Sequence, residues 1–270
     1  MKLSINYSPQ AAALYQAGRI YIDTFKCPDW PYLVEEAQEY RPVMVHFDLD
    51  VGDGRLQRKD WEPVERLLQE TGTQFVNLHL GPEAKDFPGY PVDTPEPNQQ
   101  QQVTQRMLAD VQAVVRRFGP RRVIVENVPY RAKKKGKVLR PGVEPEVIRK
   151  IVAETGCGLL LDISHARIAA NALGMDEKEY MESLPVDSLR ELHFTGLHLI
   201  EGELRDHLPI LPADWPVLEW VLEKIRLGHW AMPWMLAFEY GGVGEKFDWR
   251  TDSAVIADQV PRLYEMVKNI

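Results

Sequence analysis

Asp162 and His165 stand three residues apart in GLLLDISHARIA (158–169), where a strongly apolar run stops. A carboxylate and an imidazole at the mouth of a buried segment can ligate a metal or move a proton. Taken alone, Asp162 could simply cap the helix that follows it. Other apolar segments end in the same way, however. His46 closes VMVH and is followed by Asp48 and Asp50 at period two, a spacing that shares one face of a strand. His79 lies in LHLG, Glu126 in VENV, His193 in ELHFTG and Glu239 in AFEYGG, and Asp206 and His207 follow in the loop beyond His193. Five of the seven histidines (46, 79, 165, 193 and 207) fall at such endings. One polar residue at a strand end is ordinary, but the same pattern at six endings points to a shared site. His198 and His229 do not fit the pattern and read as structural, as do the scattered tryptophans.

These donors are nitrogen and oxygen almost without sulfur, since the chain has only Cys27 and Cys157. Such a set suits a divalent metal of the Zn, Mn, Fe or Co kind. Glu126, Asp162 and Glu239 gathered together would repel one another without a cation between them.

The elements that must present these residues alternate along the chain. Strands are expected at 3–8, 20–25, 43–49, 74–80, 122–128, 158–164, 189–196 and 234–240. They are rich in Val, Ile, Leu and Phe, as strands buried on both faces are. Helical periodicity marks 60–72, 102–119, 144–156 and 216–228 between them. Eight β units, each followed by a helix, predict an α/β fold: a single (β/α)8 TIM barrel over 1–270, with the site at the C-terminal ends of the strands. An open doubly wound sheet would need a Gly-rich phosphate loop after the first strand, and YSPQAAA is not one. The proline-rich stretch 82–98 follows a strand and reads as a long loop on the site face, in the position of a partial lid.

At 270 residues, 44% hydrophobic and 27% charged, the chain has the composition of a globular protein. No apolar run reaches the length of a membrane span, and MKLSINYSPQ lacks a signal-peptide pattern, so a cytoplasmic, reducing setting is expected. The net charge of -8 weighs against a partner held through nucleic-acid phosphates. The one basic cluster, RAKKKGKVLR (131–140), reads as a solvated loop, with a clamp for an anionic substrate as the alternative.

The order Glu126, Asp162-x-x-His165, His193, Glu239 resembles the xylose isomerase-like TIM-barrel superfamily, across essentially the whole chain. That superfamily holds sugar isomerases and epimerases, endonuclease IV-type enzymes, and a branch of multinuclear iron enzymes that modify cysteine residues of peptides. The epimerase resemblance implies one metal on Glu126, Asp162, His193 and Glu239. Glu126 and Glu239 would then be an acid–base pair, and His165 would bind a substrate hydroxyl. The multimetal resemblance implies further ligands from His46, His79, His165 and His207. Those branches carry Asp-x-His in the loop after the seventh strand, whereas this chain reads Arg205-Asp206-His207. Either Asp206 still reaches a metal, or the third metal site is broken and Arg205 holds an anionic or oxygen-rich substrate group.

The first reading is therefore a metal-dependent isomerase or epimerase of a sugar or related hydroxycarbonyl compound, with one to three divalent metals (Mn, Zn, Co or Fe) per chain. The second is a multinuclear enzyme, either an iron-dependent oxidase of peptide cysteines with a peptide or partner protein, or an endonuclease IV-like phosphodiesterase. The third is a barrel that binds metal or ligand without catalysis. The sequence leaves a homo-oligomer open.

Overall fold

Each of the eight apolar segments forms a strand, because a run of β-branched and aliphatic residues buried on both faces has no better place than the middle of a parallel sheet. The computed structural model describes residues 1–131 and 137–270. Of the basic cluster 131–140, read as a solvated loop, 132–136 lie outside the described residues; Lys137 and Arg140 are exposed, as expected, but Leu139 is fully buried.

The parallel strands are β1 (Lys2–Asn6), β2 (Thr24–Pro28), β3 (Val43–His46), β4 (Val76–His79), β5 (Val123–Glu126), β6 (Gly158–Asp162), β7 (Leu189–Phe194) and β10 (Met235–Phe238). Two further strands, β8 (Gly196–Ile200) and β9 (Glu203–Leu208), form an antiparallel hairpin after β7. The helices are α1 (Pro9–Gln16), α2 (Pro31–Gln38), α3 (Glu62–Thr71), α4 (Pro97–Phe118), α5 (Pro145–Thr155), α6 (Ile163–Leu173), α7 (Glu177–Ser183), α8 (Trp215–Arg226), α9 (Glu245–Asp248) and α10 (Ser253–Lys268). The eight-stranded sheet has the order β3-β2-β1-β10-β7-β6-β5-β4, in which sequence neighbours are sheet neighbours except β3 and β4, which stand at the two ends of this order, and the first strand lies beside the last. This is the order of a (β/α)8 barrel, the fold class expected from the sequence.

By their contacts the residues group into two compact units. One comprises Met1–His46, Pro63–Gln74 and Glu191–Ile270; the other comprises Phe47–Glu62 and Phe75–Arg190. The first buries Leu3, Ile5, Phe25, Phe194, Leu236 and Phe238. The second buries Val76, Leu78, Val123, Val125, Leu159 and Leu161.

Three features depart from the sequence reading. β2 begins at Thr24, not at residue 20. Ile20 and Ile22 are buried in the approach to the strand, so their alternation imitates a strand without being one. α4 starts at Pro97 and not at 102, on a proline whose missing N–H and fixed φ suit a first helical turn, with NQQQQ as the helix entry. The stretch after β7, read as a loop, is the β8–β9 hairpin.

The long 82–98 segment is tied down within its unit. Ala84 donates its N–H to the Lys137 carbonyl (2.8 Å), Leu139 to Pro82 (2.8 Å) and Arg140 to Val92 (2.8 Å). Phe87 and Thr94, within the segment, are buried. No helix among the described residues is long and apolar enough to cross a membrane.

Candidate metal centre

The expected site residues divide between the two units. Asp48, Asp50, His79, Glu126, Asp162 and His165 lie in one, and His46, His193, Asp206, His207 and Glu239 in the other.

In the second unit, β5 and β6 are locked at their C-terminal ends by a residue that the sequence reading passed over. Asn127 is fully buried; its amide donates to the Asp162 carbonyl (2.9 Å) and its side-chain oxygen accepts from the Asp162 N–H (2.9 Å). This pair of bonds fixes Asp162 beside Glu126. Asp162 is also the N-cap of α6, accepting from the His165 N–H at 2.7 Å. The capping and ligand readings of Asp162 are thus compatible, because a carboxylate has two oxygens. His165 Nδ1 lies 3.0 Å from the Asn127 carbonyl, 3.5 Å from Glu126 Oε1 and 3.5 Å from Asp162 Oδ2. When Nδ1–H donates to that carbonyl, Nε2 carries the ring's lone pair, as a histidine ligand requires.

His79 sits on the same side of this unit, with Nε2 3.5 Å from Glu126 Oε2 and Nδ1 3.7 Å from Asp50 Oδ1. Burial works against charging this imidazole, yet Glu126, Asp50 and Asp48 together hold its pKa above the ordinary value. The His79 hydrogen bond in turn lowers the Asp50 pKa, against the opposing effect of burial. Only the neutral ring can ligate a metal, so binding at His79 strengthens as pH rises through this raised pKa. Two ligand triads result, Glu126–Asp162–His165 and Asp48–Asp50–His79, each with donor atoms within 4.8 Å of one another. The loop after β3 is shaped by Asp110, fully buried, which accepts from the N–H groups of Gly52 (2.9 Å) and Gly54 (3.0 Å). Beside Asp48 and Asp50 this loop lines an open groove of about 820 Å3, edged also by Arg55, Arg58 and Lys59.

In the first unit, strand alternation places Glu191 and His193 on one face of β7, and both are buried. His193 Nε2 lies 2.9 Å from Glu191 Oε1, and its Nδ1 lies 3.0 Å from Glu239 Oε1. Glu191 Oε2 accepts from the indole N–H of Trp234 at 3.2 Å. The ring is therefore held from behind with Nδ1 turned to Glu239, the usual support of a ligating histidine. His46 completes a third triad with His193 and Glu239, again within 4.8 Å, and the two imidazole centroids are 5.2 Å apart.

Lys26 also enters this cluster. Its ammonium pairs with Glu239 Oε1, with both side chains buried. The β2 register puts Lys26 opposite Asn6 of β1 and Met44 of β3. Because Ile5 is opposite both Phe25 and Phe238, Lys26 and Glu239 share one layer of the sheet, two strands apart.

The hairpin resolves the Arg205-Asp206-His207 register. Gly196 faces Leu208 and His198 faces Arg205, so Leu197 alone faces both Asp206 and His207. This is a β-bulge, which re-aims side chains that plain alternation would split between faces. His207 takes the left-handed φ of 58° that the bulge needs. The donor atoms of Asp206 and His207 consequently approach within 4.8 Å. His207 Nδ1 lies 3.1 Å from the Glu239 carbonyl and 3.7 Å from its Oε2. Arg205 points away, half exposed, with Glu201 at 3.8 Å. Of the two histidines read as structural, His198 contacts the backbone through its ring, Nε2 to the Pro209 carbonyl (2.8 Å), whereas His229 is exposed.

All three triads offer only nitrogen and oxygen donors, a set that fits a divalent first-row metal; Glu126–Asp162–His165 is buried, whereas no member of Asp48–Asp50–His79 is.

A model of the MbnB/TglH/ChrH family, described as RiPP precursor modification enzymes, matches residues 26–231. The chain belongs to this family. The match runs from Lys26 through the hairpin, so it takes in most of the clusters above. A UPF0276 protein of Acaryochloris marina is 28% identical over 146 residues, covering 54% of this chain and 47% of that protein. A UPF0276 protein of Paraburkholderia phytofirmans is 42% identical over 53 residues, or 20% and 17%. The chain thus spans half or less of these relatives' length. Among solved structures, a D-psicose 3-epimerase crystallised with D-fructose superposes with a TM-score of 0.58 at 12% identity, covering 100% of this chain and 99% of that one. An AP endonuclease of family 2 from Brucella melitensis gives 0.57 at 12%, covering 95% and 96%. At such identities the likeness is one of fold alone.

Proposed function

We propose that the protein is an iron-dependent enzyme that modifies a cysteine of a precursor peptide, the second of the readings drawn from the sequence. Its family of RiPP precursor modification enzymes carries this reading. The surplus of ligands supports it, because a single-metal epimerase needs one quartet, whereas Glu126, Asp162, His165, His79, Asp48 and Asp50 already offer more donors than that. The open groove of about 820 Å3 beside Asp48 and Asp50, edged by both acidic and basic side chains, suits a polar extended chain better than a single sugar ring. The Lys26–Glu239 pair also speaks for this reading over the epimerase one, in which Glu239 must both hold the metal and exchange a proton.

Bound iron would supply redox chemistry and a Lewis acid for the peptide thiol. Glu126, Asp162, His165 and His79 would hold it, with Asp48 and Asp50 beside them. Asn127 would orient Asp162 and His165. In the other unit Glu191 holds His193 in place, and the bulge turns Asp206 and His207 together. Arg205, expected to bind substrate, faces Glu201 and has no part in this proposal.

The test is anaerobic loading with ferrous iron, elemental counting, and mass spectrometry of cysteine-containing peptides after admission of air. A parallel assay follows ketohexose epimerisation by chromatography. A mass change confined to cysteine peptides, lost in Glu126→Gln, is the expected result. Sugar epimerisation without peptide change would overturn the proposal and restore Glu126 and Glu239 as an acid–base pair.

A further inference from the structure

Glu239 Oε1 serves two groups at once. It is the acceptor of the Lys26 ammonium, and it lies 3.0 Å from His193 Nδ1 in the triad with His46. A divalent ion held by His46, His193 and Glu239 would need this carboxylate. The Lys26 and Glu239 side chains are each only 7% exposed, so no bulk water screens an ammonium from a metal ion placed beside it. Nor is Lys26 a surface residue that happens to fold inward. It lies inside β2 between Phe25 and Cys27, both fully buried on the opposite face, and strand register fixes its direction. A buried carboxylate requires a compensating positive charge. In this unit a side chain provides one.

We propose that Lys26 is the resident cation of the His46–His193–Glu239 cluster and that it keeps divalent metal out of it. Metal then enters this chain through the triads of the other unit, and the chain binds one ion fewer than its ligands alone would allow. This inference rests on reading the triads as metal ligands. It concerns occupancy, however, and is tested apart from any reaction.

The experiment counts Co2+ per chain by elemental analysis after equilibrium dialysis of chelator-stripped protein. Lys26→Met keeps the length of the stem and removes the charge. It should bind one more Co2+ than wild type, and Lys26→Met/Glu239→Gln should lose that gain. Without metal, Lys26→Met should melt below wild type, because Glu239 is left uncompensated. Saturating Co2+ should then raise its melting temperature by more than it raises that of wild type. Glu239→Gln in the wild-type background, which does not depend on the folding of the lysine variant, should leave the Co2+ count unchanged. A lower count in Glu239→Gln, or equal counts in folded wild type and Lys26→Met, would overturn the proposal. If wild type binds none and Lys26→Met binds one, the inference stands while the proposed function falls. Equal binding of two ions by both proteins gives the reverse, and binding by neither overturns both.

Discussion

Glu191 shows how much a single residue behind a ligand can decide. It touches no open face of its cluster; its carboxylate bridges His193 Nε2 and the Trp234 indole. Removing one charge from it weakens the hydrogen bond that sets the His193 tautomer and ring direction. Glu191→Gln in the Lys26→Met background should lower the affinity of the added Co2+ by about 10-fold to 100-fold. A metal titration followed through the cobalt absorption bands reads this directly. An unchanged affinity would mean that packing alone holds the ring. Asn127 plays the matching part in the other unit, but through backbone groups, so its loss would disturb Asp162 and His165 together.

At the level of elements, the β8–β9 hairpin does what the sequence register seemed to forbid. Adjacent residues on a strand face opposite ways, and the bulge opposite Leu197 cancels that for Asp206 and His207. The hairpin base depends on Gly196, where an added Cβ would sit 1.8 Å from the Pro209 carbonyl oxygen. Gly196→Ala therefore has to open the base of the hairpin. The expected outcome is a loss of roughly 1–3 kcal/mol, the usual cost of forcing extra volume into a packed place. Limited proteolysis should then cut near 200–203 faster than in wild type. A variant as resistant and as stable as wild type would show that the bulge does not depend on this close approach.

For the whole molecule, metal binding and folding stability are linked. A ligand that binds only the folded state stabilises it by about 2.7 kcal/mol at a hundred times its dissociation constant. For a chain of this size that is roughly 5–10 °C in melting temperature. Saturating ferrous iron under nitrogen should raise the wild-type melting temperature by this amount, and chelation should reverse the shift, as read by calorimetry. A melting temperature indifferent to both would remove the metal from the proposed function.

Much of this was legible in the chain. Buried parallel strands announce themselves as apolar runs, because both of their faces are covered, and the polar residues that end those runs stand out against them. The eight strands, the barrel order and the placing of Glu126, Asp162, His193 and Glu239 at strand ends follow from that contrast. The missed residues were hidden for physical reasons. Lys26 escaped because Ile20 and Ile22 alternate like a strand while packing as an approach to one, which shifted the assumed register. Glu191 was within reach, two residues before His193 on the same face, but a carboxylate inside a strand reads as solvated until its partner is known. Sequence by itself therefore determined the element order and the chemistry available at the strand ends, since both depend on local hydrophobic pattern. Only the tertiary structure decided that Lys26 meets Glu239, that Glu191 backs His193, and that Arg205 turns out while Asp206 and His207 turn together. Those outcomes depend on strand register and one bulge, which arise from pairing between segments far apart in the chain.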